Sequence, residues 1–385
     1  MNVSDKIKYV GVDDLDIDLF ESQYVVPEGM SYNSYVILDE KTAVMDTVDA
    51  RKTDEWINNV KVALGGKNLD YIVCLHMEPD HAGSMMKAME TFPTAKVVGN
   101  AKTFTYMAQF FDVNLEGRKV EVKDGESLSL GEHNLTFVCA PMVHWPEVMV
   151  AYESSEKVLF AADAFGKFGA ISKYDGDWAC EARRYYFNIC GKYGVQVQSL
   201  LKKAAALDIK TIAPLHGPVL KENLGYYIDL YNTWSSYGVE SEGVLVAFAS
   251  IHGNTRKAAE KIASILEKQG AKKVVVSDLS RDDEAEVIED AFRYGRMIIA
   301  APTYDGGLFP PMESFLSHLK SKNYQKRTVG IIENGTWAPM SGKFMKAALE
   351  SMKEIKICDT VVTIKSALKA EQEDSLVALA KEVLA

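Results

Sequence analysis

The hexapeptide His-Met-Glu-Pro-Asp-His, residues 76–81, decides the fold of this chain because it directly follows an apolar, strand-like run. Three later runs of the same kind also lead to a potential metal ligand. The candidate metal ligands are His76, Glu78, Asp80, His81, His144, Asp163 and His216. Strand ends can project side chains from distant parts of a sequence onto one rim. The pattern therefore predicts one site for two metal ions.

The ligand types restrict which metals this site can bind. Four imidazoles and three carboxylates suit iron, zinc or manganese, and they are a poor set for calcium or magnesium. The three carboxylates supply a charge of −3, against +4 for two ferrous ions. The set therefore predicts a dinuclear transition-metal centre.

Length and composition bound the class of protein. A chain of 385 residues exceeds one ordinary core and predicts two domains. The net charge of −11 makes nucleic acid and anionic membranes unfavourable partners. No secretory signal is recognisable, and no run approaches the roughly 20 apolar residues of a membrane helix. The five cysteines form no Cys-x-x-Cys pair, so we expect reduced thiols and a cytoplasmic protein.

A polar, glycine-punctuated stretch near residues 235–243 marks the expected domain boundary. The first domain, residues 1–240, alternates strands and helices and then turns to short β runs, which fits two sheets flanked by helices. The second domain, residues 241–385, reads as five strands with intervening helices. This order predicts an α/β fold with a doubly wound, parallel, five-stranded sheet.

The second domain carries three loops suited to a cofactor at the carboxyl ends of its strands. Hydroxyls, amides and backbone N–H groups can wrap a phosphate, and two aromatic side chains can cover a ring. The absence of a Walker motif and of Gly-x-Gly-x-x-Gly favours a monophosphate cofactor over ATP or NAD. The alternative is that the loops only form turns. The candidate cofactor-binding residues are Ser250, His252, Gly253, Asn254, Thr255, Pro302, Thr303, Tyr304, Asp305, Gly306, Gly307, Asn334, Gly335, Thr336 and Trp337.

The two halves resemble known families. The first half resembles the metallo-β-lactamase fold, an αββα sandwich whose hydrolases usually carry His-x-His-x-Asp-His. Here Glu78 replaces the second histidine, and its anionic oxygen favours iron over zinc. The three loops of the second half together resemble flavodoxin, which implies FMN. The whole chain therefore resembles the two-domain flavodiiron proteins, which carry His-x-Glu-x-Asp-His.

This resemblance implies a reaction and a division of the ligands. The family reduces O2 to water, NO to N2O, or both. One iron would take His76, Glu78 and His144; the other would take Asp80, His81 and His216; Asp163 would bridge them. Two ferrous ions and reduced FMN together hold the four electrons that O2 reduction needs. The choice between O2 and NO stays open, with O2 favoured as the main substrate.

Partners and pocket residues also follow from the resemblance. A domain of about 240 residues has a radius of gyration near ~18 Å, so electron transfer between domains of one chain could be slow. The family places the FMN of one protomer opposite the irons of another, which implies a head-to-tail homodimer or a dimer of dimers. The electron donor would be a separate protein, with rubredoxin as the family's precedent. Tyr186 is the candidate catalytic proton donor, Trp145 is either a pocket wall or core, and His133 is expected to be solvated.

Two other interpretations compete. A dinuclear hydrolase of the lactamase fold with a flavodoxin-like appendage would bind zinc and show no redox activity at its metals. An FMN electron carrier with a structural metal half would bind flavin and consume no gas. Glu78 disfavours the first, and the complete ligand set disfavours the second.

Overall fold

The structure is a computed structural model that describes residues 2–385. The chain divides into two compact units. Among the described residues, the first unit comprises residues 2–186 and 195–232, and the second comprises residues 187–194 and 233–385. The predicted boundary between residues 240 and 241 falls at the start of a strand, Ser241–Phe248. That boundary remains a prediction.

Short strands dominate the first part of the chain. They are β1 (Ile7–Tyr9), β2 (Val12–Asp14), β3 (Leu19–Phe20), β4 (Tyr24–Val25), β5 (Met30–Tyr32), β6 (Tyr35–Ile37), β7 (Ala43–Met45), β8 (Tyr71–Val73), β9 (Lys96–Gly99), β10 (Lys119–Glu121), β11 (Ser127–Ser129), β12 (Asn134–Cys139), β13 (Met149–Glu153), β14 (Val158–Phe160) and β15 (Thr211–Ala213). The helices are α1 (Thr53–Leu64), α2 (Pro79–Ala82), α3 (Met85–Thr91), α4 (Ala101–Phe110), α5 (Ala179–Ile189), α6 (Gly194–Ala204) and α7 (Leu224–Ser235).

Two sheets form the centre of the first unit. One sheet has the order β1-β6-β7-β8-β9-β10, and the other has the order β11-β12-β13-β14-β15. Strands such as β7, β14 and β15 are buried along their whole length, as expected where both faces of a sheet are covered. The predicted αββα sandwich is confirmed.

The second unit is built on a mostly parallel sheet. Its elements are β16 (Ser241–Phe248), α8 (Asn254–Lys268), β17 (Val274–Asp278), α9 (Glu284–Arg293), β18 (Tyr294–Tyr304), β19 (Gly307–Leu308), α10 (Pro310–Ser321), β20 (Gln325–Asn334), α11 (Ser341–Glu350), β21 (Lys353–Ile364) and α12 (Glu373–Leu384). The order β17-β16-β18-β20-β21 is parallel throughout, and it confirms the doubly wound flavodoxin-like sheet.

The five predicted parallel strands are present, and the structure adds one short strand beside them. Strand β19 pairs antiparallel with the end of β18, with Tyr304 opposite Gly307. The two residues between them, Asp305 and Gly306, have φ values of 49° and 73°. Positive φ at both central residues is the requirement of a type I′ hairpin turn, which Asp-Gly favours. This hairpin extends one of the three predicted cofactor loops.

Candidate metal centre and flavin cleft

Strand register brings the predicted metal ligands together. Strands β14 and β15 are parallel neighbours, and Phe160 is paired with Ala213. Asp163 and His216 lie three residues beyond these paired positions, so both emerge at the same edge of one sheet. His76 lies three residues beyond the last residue of β8 in the other sheet. These three ligands therefore come together because each lies three residues beyond the end of a strand.

The remaining ligands come from a short helix and a loop. Asp80 and His81 lie in α2, which begins at Pro79 and is preceded by Glu78. Proline suits this first helical position because its fixed φ fits the helix. The N–H group that proline lacks would have no hydrogen-bond partner within the helix at this position. The carbonyl of His81 accepts hydrogen bonds from the backbone N–H and the hydroxyl of Thr47. The hexapeptide thus folds as a turn and a single helical turn that expose alternate side chains to the site.

The ligand atoms form two adjacent clusters. One cluster contains His76, Glu78, His144 and Asp163, and the other contains Asp80, His81 and His216. In the first, Glu78 Oε2 lies 3.1 Å from His76 Nε2 and 3.0 Å from His144 Nε2. In the second, Asp80 Oδ2 lies 3.2 Å from the Nε2 atoms of both His81 and His216. The structure brings all seven predicted ligands to one site.

Asp163 faces both clusters with different oxygens. Its Oδ2 lies 3.1 Å from His144 Nε2 and 3.4 Å from His76 Nε2. Its Oδ1 lies 3.0 Å from His81 Nε2 and 3.8 Å from His216 Nε2. A carboxylate in this orientation can bind one cation with each oxygen. The geometry therefore supports the expected bridging role of Asp163.

Hydrogen bonds outside the site fix the histidine tautomers. The Nδ1–H group of His216 donates to the carbonyl of Ser31 at 2.7 Å, and that of His76 donates to Glu147 Oε1 at 2.7 Å. Since each Nδ1 carries the proton, each Nε2 is left with its lone pair directed into the site. This arrangement of an outer acceptor behind a ligating imidazole is typical of metal sites in proteins.

The electrostatics of the site favour bound positive charge. Burial alone would lower the pKa of His144, but its bonds to Asp163 and Glu78 outweigh burial and raise that pKa to about 9. Burial would raise the pKa of Asp163, yet the surrounding histidines hold it well below its ordinary value. Asp163 therefore remains ionised and stabilises cations in this pocket, whether the cation is a proton or a metal.

Unsatisfied buried atoms test whether metal ions fit here. Besides His81 Nδ1, the ligand atoms that have no hydrogen-bond partner among residues 2–385 are Asp80 Oδ1 and Oδ2, His81 Nε2, His144 Nε2, Asp163 Oδ1 and Oδ2, and His216 Nε2. Each such buried polar atom costs roughly 1–3 kcal/mol when left without a partner. Two cations, one in each cluster, would satisfy all of these atoms. The residues present therefore fit a dinuclear metal centre.

Aromatic side chains pack against the ligand rings. The ring centroids of Trp145 and His76 are 5.3 Å apart, and Trp145 also stacks on Phe110. On the other side, Phe20 lies 5.5 Å from His216. Trp145 thus contacts both a ligand and neighbouring aromatic side chains, and its role as a pocket wall remains a prediction.

The tyrosine pair on α5 is arranged differently from the expectation. Tyr185 lies 5.5 Å from the ring of His216, whereas Tyr186 packs on Tyr231 at 5.2 Å. Both tyrosines are buried. The structure therefore places Tyr185 beside a ligand, and the catalytic role of Tyr186 remains a prediction.

Three carboxylates near the site were missed by the sequence analysis. Glu147 supports His76, and Asp46 accepts hydrogen bonds from the backbone N–H groups of Leu75 and His76. Glu21 lies in the β3–β4 hairpin, where removal from water and the charge of Glu78 raise its pKa to about 7. Glu147 follows His144 by three residues, which was an available signal; Asp46 and Glu21 offered none.

The predicted cofactor loops line a cleft of about 500 Å³ in the second unit. Of the predicted residues, Gly253 and Gly307 do not line it. The other predicted residues do, and the cleft also includes four residues that were not predicted: Ile251, Ala338, Met340 and Ser366. A volume of this size is ordinary for a site that binds a cofactor-sized molecule.

Hydrogen bonds between the loops shape the cleft. Ser250 Oγ accepts from the backbone N–H of Gly253, and the side chain of Asn334 donates to Thr255 Oγ1 and to the carbonyl of Ser366. Helix α8 starts at Asn254 with no side-chain cap. The N–H groups at the start of a helix attract phosphate, so an anionic group can supply the missing cap.

The rim of the cleft carries two exposed aromatic side chains. Trp337 is 92% exposed, and Tyr304 is 45% exposed. Exposure of a tryptophan to this degree leaves its ring available for stacking on a planar ligand. A phosphate cap at the floor and aromatic rings at the rim together fit a flavin mononucleotide.

Across residues 2–385, no helix combines the length and apolar character needed to cross a membrane.

Two family models match the chain. A model described as ODP family beta lactamase matches residues 30–217, and a model described as flavodoxin domain matches residues 245–362. The first interval contains all seven predicted metal ligands, and the second contains the predicted cofactor loops.

Similar sequences cover most of the chain. A protein of Methanocaldococcus jannaschii described as uncharacterized is 30% identical over 324 residues, which is 83% of this chain and 81% of that protein. A nitric oxide reductase of Moorella thermoacetica is 29% identical, over 100% of this chain and 98% of that protein. An anaerobic nitric oxide reductase flavorubredoxin of Vibrio vulnificus is 28% identical, over 88% of this chain and 70% of that protein.

Similar structures also match both units. The rubredoxin oxygen:oxidoreductase of Desulfovibrio gigas superposes with a TM-score of 0.92 at 25% identity, over 100% of this chain and 97% of that one. The flavodiiron protein of Giardia intestinalis gives a TM-score of 0.93 at 24% identity, over 99% and 96% of the two chains. The second comparison supports the fold alone.

Proposed function

Because this chain belongs to the flavodiiron protein family, we propose that it reduces O2 to water, NO to N2O, or both. The cofactors are a diiron centre and FMN, and the protein is an oxidoreductase. The observation that carries the proposal is Asp163, whose two oxygens face two separate ligand clusters. A single bridging carboxylate is what holds two metal ions close enough to act on one substrate.

We assign the ligands from the two clusters. One iron is held by His76, Glu78 and His144, the other by Asp80, His81 and His216, and Asp163 bridges them. The three carboxylates among these ligands give the two iron positions together a charge of −3. When bound, the two irons would supply redox equivalents to a diatomic gas.

The protein's own residues prepare this site. Glu147 and the carbonyl of Ser31 hold His76 and His216 in the tautomer that presents Nε2. Trp145 and Phe20 pack edge-to-face against these two imidazoles, which are fully buried from water. A preformed, dry ligand set lets metal ions bind without rearrangement of the fold.

The second unit supplies the flavin site. We propose that the phosphate of FMN caps α8, contacted by the residues of loop 250–255, and that Tyr304 and Trp337 contact the flavin ring. Complete reduction of O2 consumes four electrons and four protons and yields two waters. Two ferrous ions and reduced FMN hold four electrons, whereas the conversion of two NO to N2O requires two.

The partners belong to the same proposal. We propose a separate redox protein, such as a rubredoxin, as the electron donor, because the similar Desulfovibrio gigas protein is a rubredoxin oxygen:oxidoreductase. We also propose a head-to-tail homodimer, or a dimer of dimers, in which FMN of one protomer serves the irons of another.

None of the five cysteines forms a disulfide within residues 2–385, which supports a reducing compartment such as the cytoplasm. Residues 1–240 and 241–385 are the proposed domains.

The test begins with metal and flavin analysis of the purified protein. The protein is then reduced without oxygen and exposed separately to O2 and NO while gas consumption is recorded. Two irons and one FMN per chain, with consumption of either gas, would support the proposal and rank the two substrates. Zinc in place of iron without redox activity would instead indicate a hydrolase, and FMN without gas consumption by iron-replete protein would indicate an electron carrier.

A further inference from the structure

The first unit contains a cavity of about 460 Å³ whose lining includes none of the candidate metal ligands. Lys167 lines this cavity and is only 6% exposed. Within residues 2–385, its ammonium group forms no hydrogen bond and no ion pair. Burial of a lysine whose ammonium group has no hydrogen-bond partner is costly, because little replaces the hydration that the group loses. Lys167 therefore requires an explanation that the fold alone does not give.

The backbone is shaped around the stem of this lysine. Gly217 has a φ of +78°, and a Cβ atom there would lie 2.6 Å from Lys167 Cγ. The ammonium end lies 5.0 Å from the centre of the Tyr174 ring. A cation–π contact of this kind recovers only part of the lost hydration. The three N–H donors of Lys167 thus remain available to a molecule in the cavity.

The charges around the cavity exclude a simple anion as the best occupant. Four acidic side chains line it, namely Glu28, Asp175, Asp177 and Glu181, against Lys167 and Lys173. Burial lowers the pKa of Lys167, and the negative charges of Glu181, Asp175 and Asp177 oppose that shift. A ligand here needs an acceptor for the ammonium group and a positive charge toward the carboxylates.

The acidic side chains are also arranged unlike a metal site. Asp175 accepts a hydrogen bond from the backbone N–H of Asp177, and Asp177 accepts one from that of Cys180. Glu181 is paired with Arg184 at 3.1 Å. Among the described residues, His, Cys, Asp and Glu converge on candidate ion positions only at the metal centre. These carboxylates therefore favour an organic cation over a metal ion.

We propose that this cavity binds a small zwitterion of the amino-acid type. The carboxylate of the ligand would accept hydrogen bonds from Lys167, and its ammonium group would face the acidic side chains. Val26, Pro27 and Phe168 provide an apolar wall for a short aliphatic side chain. The volume of the cavity lies within the range of small-molecule sites in proteins.

The test uses L-leucine as the probe and the full-length protein with its cofactors. Equilibrium dialysis should show one saturable site per chain. Two fragments of the probe separate its charges: 4-methylpentanoate lacks the ammonium group, and 3-methylbutylamine lacks the carboxylate. Each fragment should bind about tenfold more weakly or worse, because a hydrogen bond to a charged group contributes roughly 1.5–3 kcal/mol.

Two lysine variants complete the test. Lys167→Met keeps the aliphatic stem but removes the ammonium group, and it should weaken L-leucine binding by about tenfold or more. Lys202→Met changes an exposed lysine on α6 and should leave binding unchanged. If Lys167→Met does not fold, wild-type protein can be treated with acetic anhydride and analysed by peptide mass spectrometry. L-Leucine should then slow acetylation of Lys167 and not that of Lys202.

Several results would overturn the proposal. Absence of saturable L-leucine binding at millimolar concentrations would do so, as would 4-methylpentanoate or 3-methylbutylamine binding as tightly as the zwitterion. Equal losses in Lys167→Met and Lys202→Met, or acetylation of Lys167 that L-leucine does not slow, would also contradict it. None of these measurements depends on gas reduction at the metal centre, so their outcome is separate from that of the proposed function.

Discussion

The metal centre and the flavin cleft hold their residues by different means. In the metal centre, His76 and His216 are fully buried, and other side chains or carbonyls fix the orientation of each ring. In the cleft, hydrogen bonds join the loops; for example, Thr303 Oγ1 accepts from the backbone N–H groups of Met340 and Ser341. Trp337, in contrast, is exposed. Removal of one side chain should therefore disturb the buried cluster as a whole, but should change the open cleft only locally.

The largest effect is expected from Asp163→Asn. This substitution keeps the shape of the side chain but removes the charge that both clusters share, so both metal positions should lose affinity. We expect iron content and gas consumption to fall by on the order of 100-fold or more, while FMN is retained. Metal analysis, flavin absorbance and gas consumption measure these three quantities.

The matched control for this prediction is Asp208→Asn. Asp208 is exposed and pairs only with Lys157 at the surface, so iron, FMN and activity should stay at wild-type levels. If Asp163→Asn retained two irons, the bridging role would be wrong. If it lost FMN as well, the two sites would not be independent, and the contrast between them would fail.

The second prediction concerns Glu147, which touches no metal position in the proposed assignment. Glu147→Ala removes the acceptor of the His76 Nδ1–H group and of the Met77 N–H group. Substitution of such an outer partner typically lowers metal affinity by roughly 10–100-fold. Iron titration of metal-depleted protein should show this loss at one of two iron positions.

Glu147→Gln serves as the conservative comparison. The amide oxygen can still accept both hydrogen bonds but lacks the charge, so its iron affinity should lie between those of wild type and Glu147→Ala. Equal affinities for all three proteins would mean that the orientation of His76 does not depend on Glu147.

The third prediction tests the open cleft. Thr255 is buried at the floor of the cleft, and its hydroxyl accepts a hydrogen bond from Asn334. Thr255→Val preserves the side-chain shape, removes the hydroxyl and should weaken FMN binding by about tenfold. Iron content should not change. FMN affinity can be measured by the quenching of flavin fluorescence as apoprotein is added.

Thr105→Val on α4 is the control, since that hydroxyl bonds only to a backbone carbonyl of its own helix. FMN affinity should be unaffected by it. Loss of iron in Thr255→Val would contradict the local character expected of the cleft.

The convergence of His76, Asp163 and His216 could be predicted because each lies three residues beyond a strand end. The register between Phe160 and Ala213 is enough to converge Asp163 and His216. The residues behind the ligands could not be found in this way. Asp46 reaches the site through side-chain hydrogen bonds to the backbone of the next strand end, and such contacts leave no periodic pattern in the sequence.

The cofactor loops were predicted as groups and not as individual contacts. Glycines such as Gly253 and Gly307 shape the loops without lining the cleft, whereas Ser366 reaches it from beyond β21. Membership in a loop is visible in the sequence, but the direction of each side chain depends on turn geometry. The I′ turn at Asp305 and Gly306 is an example, because it turns an expected loop into the hairpin with β19.

His133 was expected to be solvated because it lies in a polar turn, and this expectation was wrong. The structure buries it, with Nδ1 2.8 Å from Asp39 Oδ2 and Nε2 3.2 Å from Glu156 Oε1. Burial lowers the pKa of His133, but the bonds to Asp39 and Glu156 outweigh burial and raise it above its ordinary value. The first unit thus contains a buried ion pair that involves none of the candidate metal ligands.

This ion pair gives the smallest predicted effect, which is a dependence of stability on pH. Because the folded-state pKa of His133 is raised, its contribution is complete below the unfolded value of about 6.5 and disappears as pH rises through the folded value. The stability difference between wild type and His133→Gln should therefore shrink between mildly acidic and alkaline pH. We expect a change below about 1 kcal/mol, because the side chain of Glu156 is partly exposed and solvent screens its interaction with His133. Urea denaturation of both proteins at several pH values measures it, with His318→Gln as a control in the second unit. A difference that grew with pH would mean that His133 is neutral in the folded protein, and that the pair contributes packing without charge.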